Sequence, residues 1–175
     1  RATPPKRAVM MGYGEDMPGF LETFPPVAHL PYLPDVARLE LLLRESYHAA
    51  DHQGMPPATF GEIAPEDLME RRFALAPSLR LLRSAHPVYG IWRTNSDDSD
   101  FQPDTGPQDV AIARRDLDPE PVPLPPGGFA FFSAIRAGET FGAAFDLALA
   151  DTTDADLTPI LQFAFTHDIF AEDTP

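Results

Sequence analysis

The chain has 175 residues, of which 43% are hydrophobic, so it can bury one core or two small ones. It carries 27 acidic and 13 basic residues, and a net charge of -14 argues against binding to nucleic acid or an anionic membrane surface. The lack of cysteine excludes disulfides, thiolate metal ligands and cysteine nucleophiles. No apolar run approaches the roughly 20 residues of a membrane helix. No signal-peptide core is seen at the start, so we expect a cytoplasmic protein.

The first part of the chain is predicted to be helical. A short helix is expected in DMPGFLETF (16–24), and a second in APEDLMERR (64–72). Between them, LPDVARLELLLRESYHAADH predicts one long helix over 34–52, with proline and aspartate in its first turn. Apolar residues recur at helical spacing and predict a buried stripe of Val36, Leu39, Leu43, Tyr47 and Ala50.

The second part of the chain predicts short strands followed by helices. Strands are expected over 77–86, 88–95 and 109–115, and PEPVPLPP (119–126) should be extended because its prolines forbid a helix. Helices should then cover 128–137, 141–150 and about 156–170. The predicted fold class is therefore α+β. A helical domain (1–75) precedes a winged-helix-like peptide-recognition lobe (76–175), which has three or four short antiparallel strands and then three helices.

The acidic charge of this lobe argues against one of its possible roles, DNA binding. After Arg136 the chain has eight acidic residues and neither lysine nor arginine, whereas a DNA-reading helix needs cations that face phosphate. The lobe could still recognise a peptide or serve only as a packing domain, because fold alone does not give function.

The proline-rich strand has two different edges. Backbone groups of residues two apart point to the same side of a strand. Pro119, Pro121 and Pro123 would therefore leave one edge without N–H donors, while Glu120, Val122 and Leu124 keep their amides for the neighbouring strand. Such an edge protects against aggregation, or it binds a partner through its backbone carbonyls alone.

The face of the long helix opposite its buried stripe is a candidate partner interface, because it mixes leucines with ionisable groups. Its residues are Arg38, Leu41, Leu42, Glu45, His48 and His52. A plainly solvated face is one alternative. The other is a metal site at Glu45, His48 and His52, which would need further ligands that the sequence does not name. We therefore predict no metal site. No Gly-rich phosphate loop follows a predicted strand and no serine lies in a nucleophile elbow, so we also predict no cofactor and no catalytic residue.

The stretch PSLRLLRSAHPVYGIWR is the densest basic and aromatic part of the chain. Arginine binds carboxylates with two parallel hydrogen bonds. Arg80, Arg83 and Trp92 are therefore candidates for contacts with an acidic peptide, although packing explains most such residues.

Several stretches together resemble the HvfC/BufC-type family, whose N-terminal region is labelled a DNA-binding domain. They are ATPPKRAVMMGYGEDMPGFLETFPP, LPYLPDVARLE, YHAAD, PSLRLLRSAHPVYGIWRTN and LPPGGFAFFSAI. The resemblance covers nearly the whole chain, in order. It implies that most of the family's N-terminal helical segment is missing here and that 1–75 begins with its tail.

Members of this family are typically encoded beside multinuclear non-heme iron oxidative enzymes that modify cysteines in ribosomally made precursor peptides. The resemblance implies a non-catalytic partner protein that binds such an enzyme and helps to present the precursor. It also implies that a leader peptide binds by strand addition near the last helix. The alternatives are a DNA-binding transcriptional regulator, as the family label suggests, and a His/Glu metal-binding protein.

Overall fold

The computed structural model describes residues 14–96 and 105–172, so the start of the first family-like motif lies outside it. The fold is α+β, with one antiparallel three-stranded sheet. Its helices are α1 (Met17–Thr23), α2 (Leu33–Tyr47), α3 (Pro57–Gly61), α4 (Pro65–Leu68), α5 (Val88–Ser96), α6 (Gly128–Arg136), α7 (Phe141–Asp151) and α8 (Leu157–Thr166). Its strands are β1 (Arg80–Ser84), β2 (Gln108–Ala113) and β3 (Glu120–Pro123).

Helix α2 ends five residues before the end predicted from the sequence. The buried guanidinium of Arg114 stops it: Nη1 donates to the carbonyl of Tyr47 at 2.8 Å, and Nη2 donates to that of Ala50 at 2.9 Å. Nη2 also lies 2.9 Å from Oδ1 of Asp51. A cation is stabilising where the last carbonyls of a helix lack partners. The prediction that His52 belongs to this helix is therefore wrong.

The buried stripe of α2 is also shorter than predicted. Leu39 is fully buried, and Val36, Leu42 and Leu43 pack beside it against β1, β2 and α5. Tyr47, in contrast, is 54% exposed and is the last residue of the helix. Leu42 is thus part of the hydrophobic packing and not of the opposite face.

The sheet has the order β1-β2-β3, and helices cover both of its faces. Leu82 pairs with Val110 on the face covered by α2 and α5, while Ala111 pairs with Val122 on the face covered by α6. The predicted strand over 88–95 is wrong, since this stretch forms α5. Its β-formers pack at helical spacing on the sheet, and tertiary packing overrides their intrinsic preference.

Strand β3 lies at the edge of the sheet, and its prolines leave N–H groups only at alternate residues. Pro121 and Pro123 are paired with Ile112 and Val110, and the amide of Leu124 donates to the carbonyl of Asp109 at 2.9 Å. This confirms at Leu124 that an alternate amide of the proline-rich stretch faces the neighbouring strand.

The three helices predicted after the strands are confirmed, with α8 ending earlier than expected. Thr140 caps α7, accepting a hydrogen bond from the amide of Ala143, and Asp156 caps α8, accepting one from the amide of Thr158 at 2.8 Å. Gly127 precedes α6 at φ 77°, and a Cβ there would lie 2.7 Å from Cβ of Ala155. Only glycine fits this close approach.

The larger core joins residues from both halves of the chain. Met55 and Phe73 pack with aromatic and aliphatic side chains of α6, α7 and α8. Its fully buried large members are Leu79, Phe131, Phe132, Phe141, Ile160, Ile169 and Phe170.

A short extended segment, 169–172, lies between two segments from the first half of the chain. Met55 donates to the carbonyl of Phe170 at 2.8 Å on one side. On the other side, Ala76 donates to Ile169 at 2.8 Å and Ala171 donates to Ala74 at 3.0 Å. The segment therefore ties 53–55 and 74–76 into one small antiparallel arrangement.

Candidate functional site

The predicted interface on α2 divides into residues with different surroundings. Arg38 forms ion pairs with Asp35 of its own helix and with Glu22 of α1, so it links the two helices. Leu41 is half-buried, and Leu42 packs in the smaller core. On this part of α2, Arg38 therefore contacts α1 and Leu42 packs towards the sheet, while Leu41 remains partly accessible.

Glu45 and Arg80, predicted for two different partners, bind each other. Nε of Arg80 lies 2.9 Å from Oε2 of Glu45, and Nη1 donates to the carbonyls of Pro77 and Leu79 at 2.9 Å. The pair fixes the guanidinium beside α2. The two surfaces named from the sequence are thus continuous at this point.

The two histidines of the predicted face lie in different environments. His48 is the C-terminal cap of α2 and exposed, with its ring edge-on to Tyr47. His52 lies beyond the helix, and its Nε2 is 2.8 Å from the carbonyl oxygen of Asp168. Within 14–96 and 105–172, no three His, Asp or Glu side chains come together as a metal site would require.

Arg83 is held between two carboxylates. Its guanidinium donates to both oxygens of Asp109 at 2.8 Å and to both oxygens of Asp151 at 2.9 and 2.7 Å. It also lies over the ring of Phe129, 4.4 Å from the centroid. These hydrogen bonds raise the pKa of Arg83 and lower that of Asp151. The guanidinium joins β1, β2, α6 and α7, and four of its five N–H groups are already used in these bonds within the chain.

Trp92 belongs to α5 and packs against the smaller core, next to Tyr89. It is half-buried, so only part of the indole could meet a peptide. The three predicted peptide contacts therefore do not converge: Arg80 faces α2, Arg83 faces α7, and Trp92 lies on a separate helix.

A groove that the sequence did not indicate lies next to Arg80. It has a volume of about 570 Å³, and its wall is formed by 73–77, by Leu79 and by the end of α6 around Ile135. Arg136 lines it together with Arg80, and its Nη2 donates to the carbonyl of Leu79 at 3.1 Å. These two arginines are 56 positions apart in sequence, and no local motif links them.

A second surface of interest lies on α1. Met17, Phe20 and Phe24 are 46%, 52% and 37% exposed, and the rings of Phe20 and Phe24 stack with centroids 4.8 Å apart. Residues three and four apart share one face of a helix. We call these three side chains the α1 patch. The ion pair of Glu22 with Arg38 connects α1 to the predicted face of α2.

No protein-family model and no curated protein matches this chain. The resemblance to the HvfC/BufC-type family therefore stays a prediction. Over the part of the chain that the structure covers, no helix is both long enough and apolar enough to cross a membrane.

Proposed function

We propose that this chain is a non-catalytic partner protein that binds a multinuclear non-heme iron enzyme and helps to present a ribosomally made precursor peptide for cysteine modification. The observation that carries the proposal is the α1 patch, an apolar surface beside the ion-paired end of α2. Contiguous apolar side chains with a polar rim are typical of protein interaction sites. The family resemblance supplies the identity of the partner.

The architecture supports the peptide-recognition part of the proposal. A three-stranded antiparallel sheet is followed by α6, α7 and α8, which resembles the strands-then-helices order expected of a winged-helix-like lobe, except that α5 lies between β1 and β2. The acidic charge of the chain favours a protein partner over DNA.

The enzyme-facing surface combines the α1 patch with the half-buried Leu41 of α2 and the exposed His48 that caps this helix. Aromatic side chains at the centre of an interface commonly carry much of its binding energy. A charge at Phe20 should therefore disrupt the complex more than a charge at an exposed leucine elsewhere. Leu117, which is 80% exposed between β2 and β3, is the matched control.

Co-purification with the iron enzyme encoded beside this chain tests the proposal. Wild type and Leu117→Glu should retain the enzyme, and Phe20→Glu and the double variant Leu41→Glu/His48→Ala should lose it. Failure of the wild type to retain the enzyme would overturn the partner role. Equal retention by all four proteins would overturn the assignment of the surface.

A further inference from the structure

The extended segment 74–76 has one paired edge and one open edge. Ala74 and Ala76 direct their backbone groups to the 169–172 segment. Because backbone groups alternate along an extended chain, the amide and carbonyl of Leu75 point the other way. In the described part of the chain, neither group of Leu75 takes part in a hydrogen bond. An open edge of this kind is a template for pairing with another strand.

The residues of this segment line the groove described above, and two guanidinium groups line it as well. Arg80 and Arg136 both line it; Arg80 is paired with Glu45, whereas across 14–96 and 105–172 no carboxylate forms an ion pair with Arg136. Partial burial and the neighbouring Arg80 lower the pKa of Arg136. A carboxylate between the two guanidinium groups would relieve this repulsion and gain charge-assisted hydrogen bonds. Since Glu45 pairs with Arg80 only, Arg136 is the cation of the groove that gains most from an acidic ligand.

We infer that the groove between 73–77 and Arg136 binds an extended peptide segment by strand addition at Leu75, with an Asp or Glu side chain of that segment between Arg80 and Arg136. The site lies on a different edge from the proline-rich β3. Main-chain hydrogen bonds at Leu75 give affinity, and the two arginines give the preference for an acidic residue. As the source of the segment we take the precursor peptide, and in this the inference rests on the proposed function.

Two pairs of variants separate the groove from general effects on the fold. Leu75→Pro removes the outward N–H, while Leu75→Ala keeps it and removes a comparable amount of packing. Arg136→Glu reverses a charge in the groove, and Arg72→Glu makes the same charge change at an exposed position outside it.

The measurement is fluorescence anisotropy of overlapping labelled peptides that tile the precursor encoded beside this chain. The tightest-binding peptide should lose about tenfold or more in affinity with Leu75→Pro and with Arg136→Glu, less with Leu75→Ala, which keeps the N–H, and less than about twofold with Arg72→Glu, which lies outside the groove. The same peptide with Asn and Gln for Asp and Glu should also bind more weakly. Thermal melts show which variants are folded, and Arg136→Glu tests the groove even if Leu75→Pro does not fold.

The outcomes also distinguish this inference from the proposed function. If no tile binds the wild type, or if Arg136→Glu binds as tightly as Arg72→Glu, the groove is not the peptide site. Retention of the iron enzyme in the parallel co-purification would then leave the partner role standing. Conversely, peptide binding that responds to these variants, without any retention of the enzyme, would support the groove and overturn the enzyme partnership.

Discussion

Glu45 and Arg80 form an ion pair, with 2.9 Å between Oε2 and Nε, that connects α2 to the first strand of the sheet. The carboxylate is more than half exposed, and the guanidinium also lines the groove. An internal carboxylate thus already competes for one of the two cations that an acidic peptide would meet.

Replacing Glu45 should therefore strengthen peptide binding. In Glu45→Gln the side chain keeps its size but no longer neutralises Arg80, so an acidic peptide should bind about two- to fivefold more tightly. Stability should fall by no more than about 1 kcal/mol, because the pair is exposed. Anisotropy titrations and urea unfolding measure the two effects. Glu40→Gln, an exposed change on the same helix, is the control, and weaker binding by Glu45→Gln would contradict the expectation.

Arg83 should matter for stability more than for binding. Arg83→Lys keeps the charge but cannot form paired hydrogen bonds to Asp109 and Asp151 together, so we expect a loss of about 1–2 kcal/mol in the free energy of unfolding. The site is partly exposed, which limits the loss. Urea unfolding measures it, and anisotropy should show unchanged peptide affinity. A lysine variant as stable as the wild type would show that the charge alone is sufficient.

Arg114 should be the most sensitive of the arginines. It is 7% exposed and donates to the carbonyl of Tyr47, the last residue of α2, and to that of Ala50 beyond it, so Arg114→Met should lower the free energy of unfolding by about 2–4 kcal/mol. Asp51→Asn removes the charge from its exposed carboxylate partner and should cost less than about 1 kcal/mol. Equal losses in the two variants would mean that the ion pair, rather than the helix carbonyls, is what Arg114 stabilises.

His167 should make stability depend on mildly acidic pH. Burial lowers its pKa below the ordinary 6.5, Arg115 lowers it further, and Glu120 and Asp168 act in the opposite direction. Below pH 6.5 the unfolded chain therefore binds the proton more readily than the folded one. The contribution of His167 is complete above pH 6.5 and is lost as the pH falls towards its folded pKa. Urea unfolding from pH 7.5 to about 5 should show a smaller change in His167→Gln than in the wild type; an identical slope in the two proteins would refute this.

The elements that local sequence predicted are those whose ends are marked by local chemistry. Asp156 accepts a hydrogen bond from the first turn of α8, and Thr140 does the same for α7, so the first residues of both helices could be predicted from local sequence. The amide of Leu124 faces β2, as the spacing of the prolines required. The two capping interactions each span only a few residues. The proline spacing is also local, but which strand pairs with β3 is not.

The features that sequence did not predict depend on residues far apart in the chain. Helix α2 ends where Arg114 donates to the carbonyl of Tyr47, and Arg114 comes 67 positions after Tyr47 in the chain. The stretch around Trp92 forms a helix because of its packing, although its composition favours a strand. The groove combines Leu75, Arg80 and Arg136, and only the fold shows that they are neighbours.

The 169–172 segment affects the order in which this protein can fold during synthesis. Its backbone partners lie at 53–55 and 74–76, so both must wait until residues near 170 have left the ribosome. Contacts between such distant positions form slowly, because a long loop must close first. Until then, both edges of 74–76 are open, and an extended peptide could pair with the nascent chain on either side. Only after the 169–172 segment has inserted is Leu75 left as the single open position of that strand.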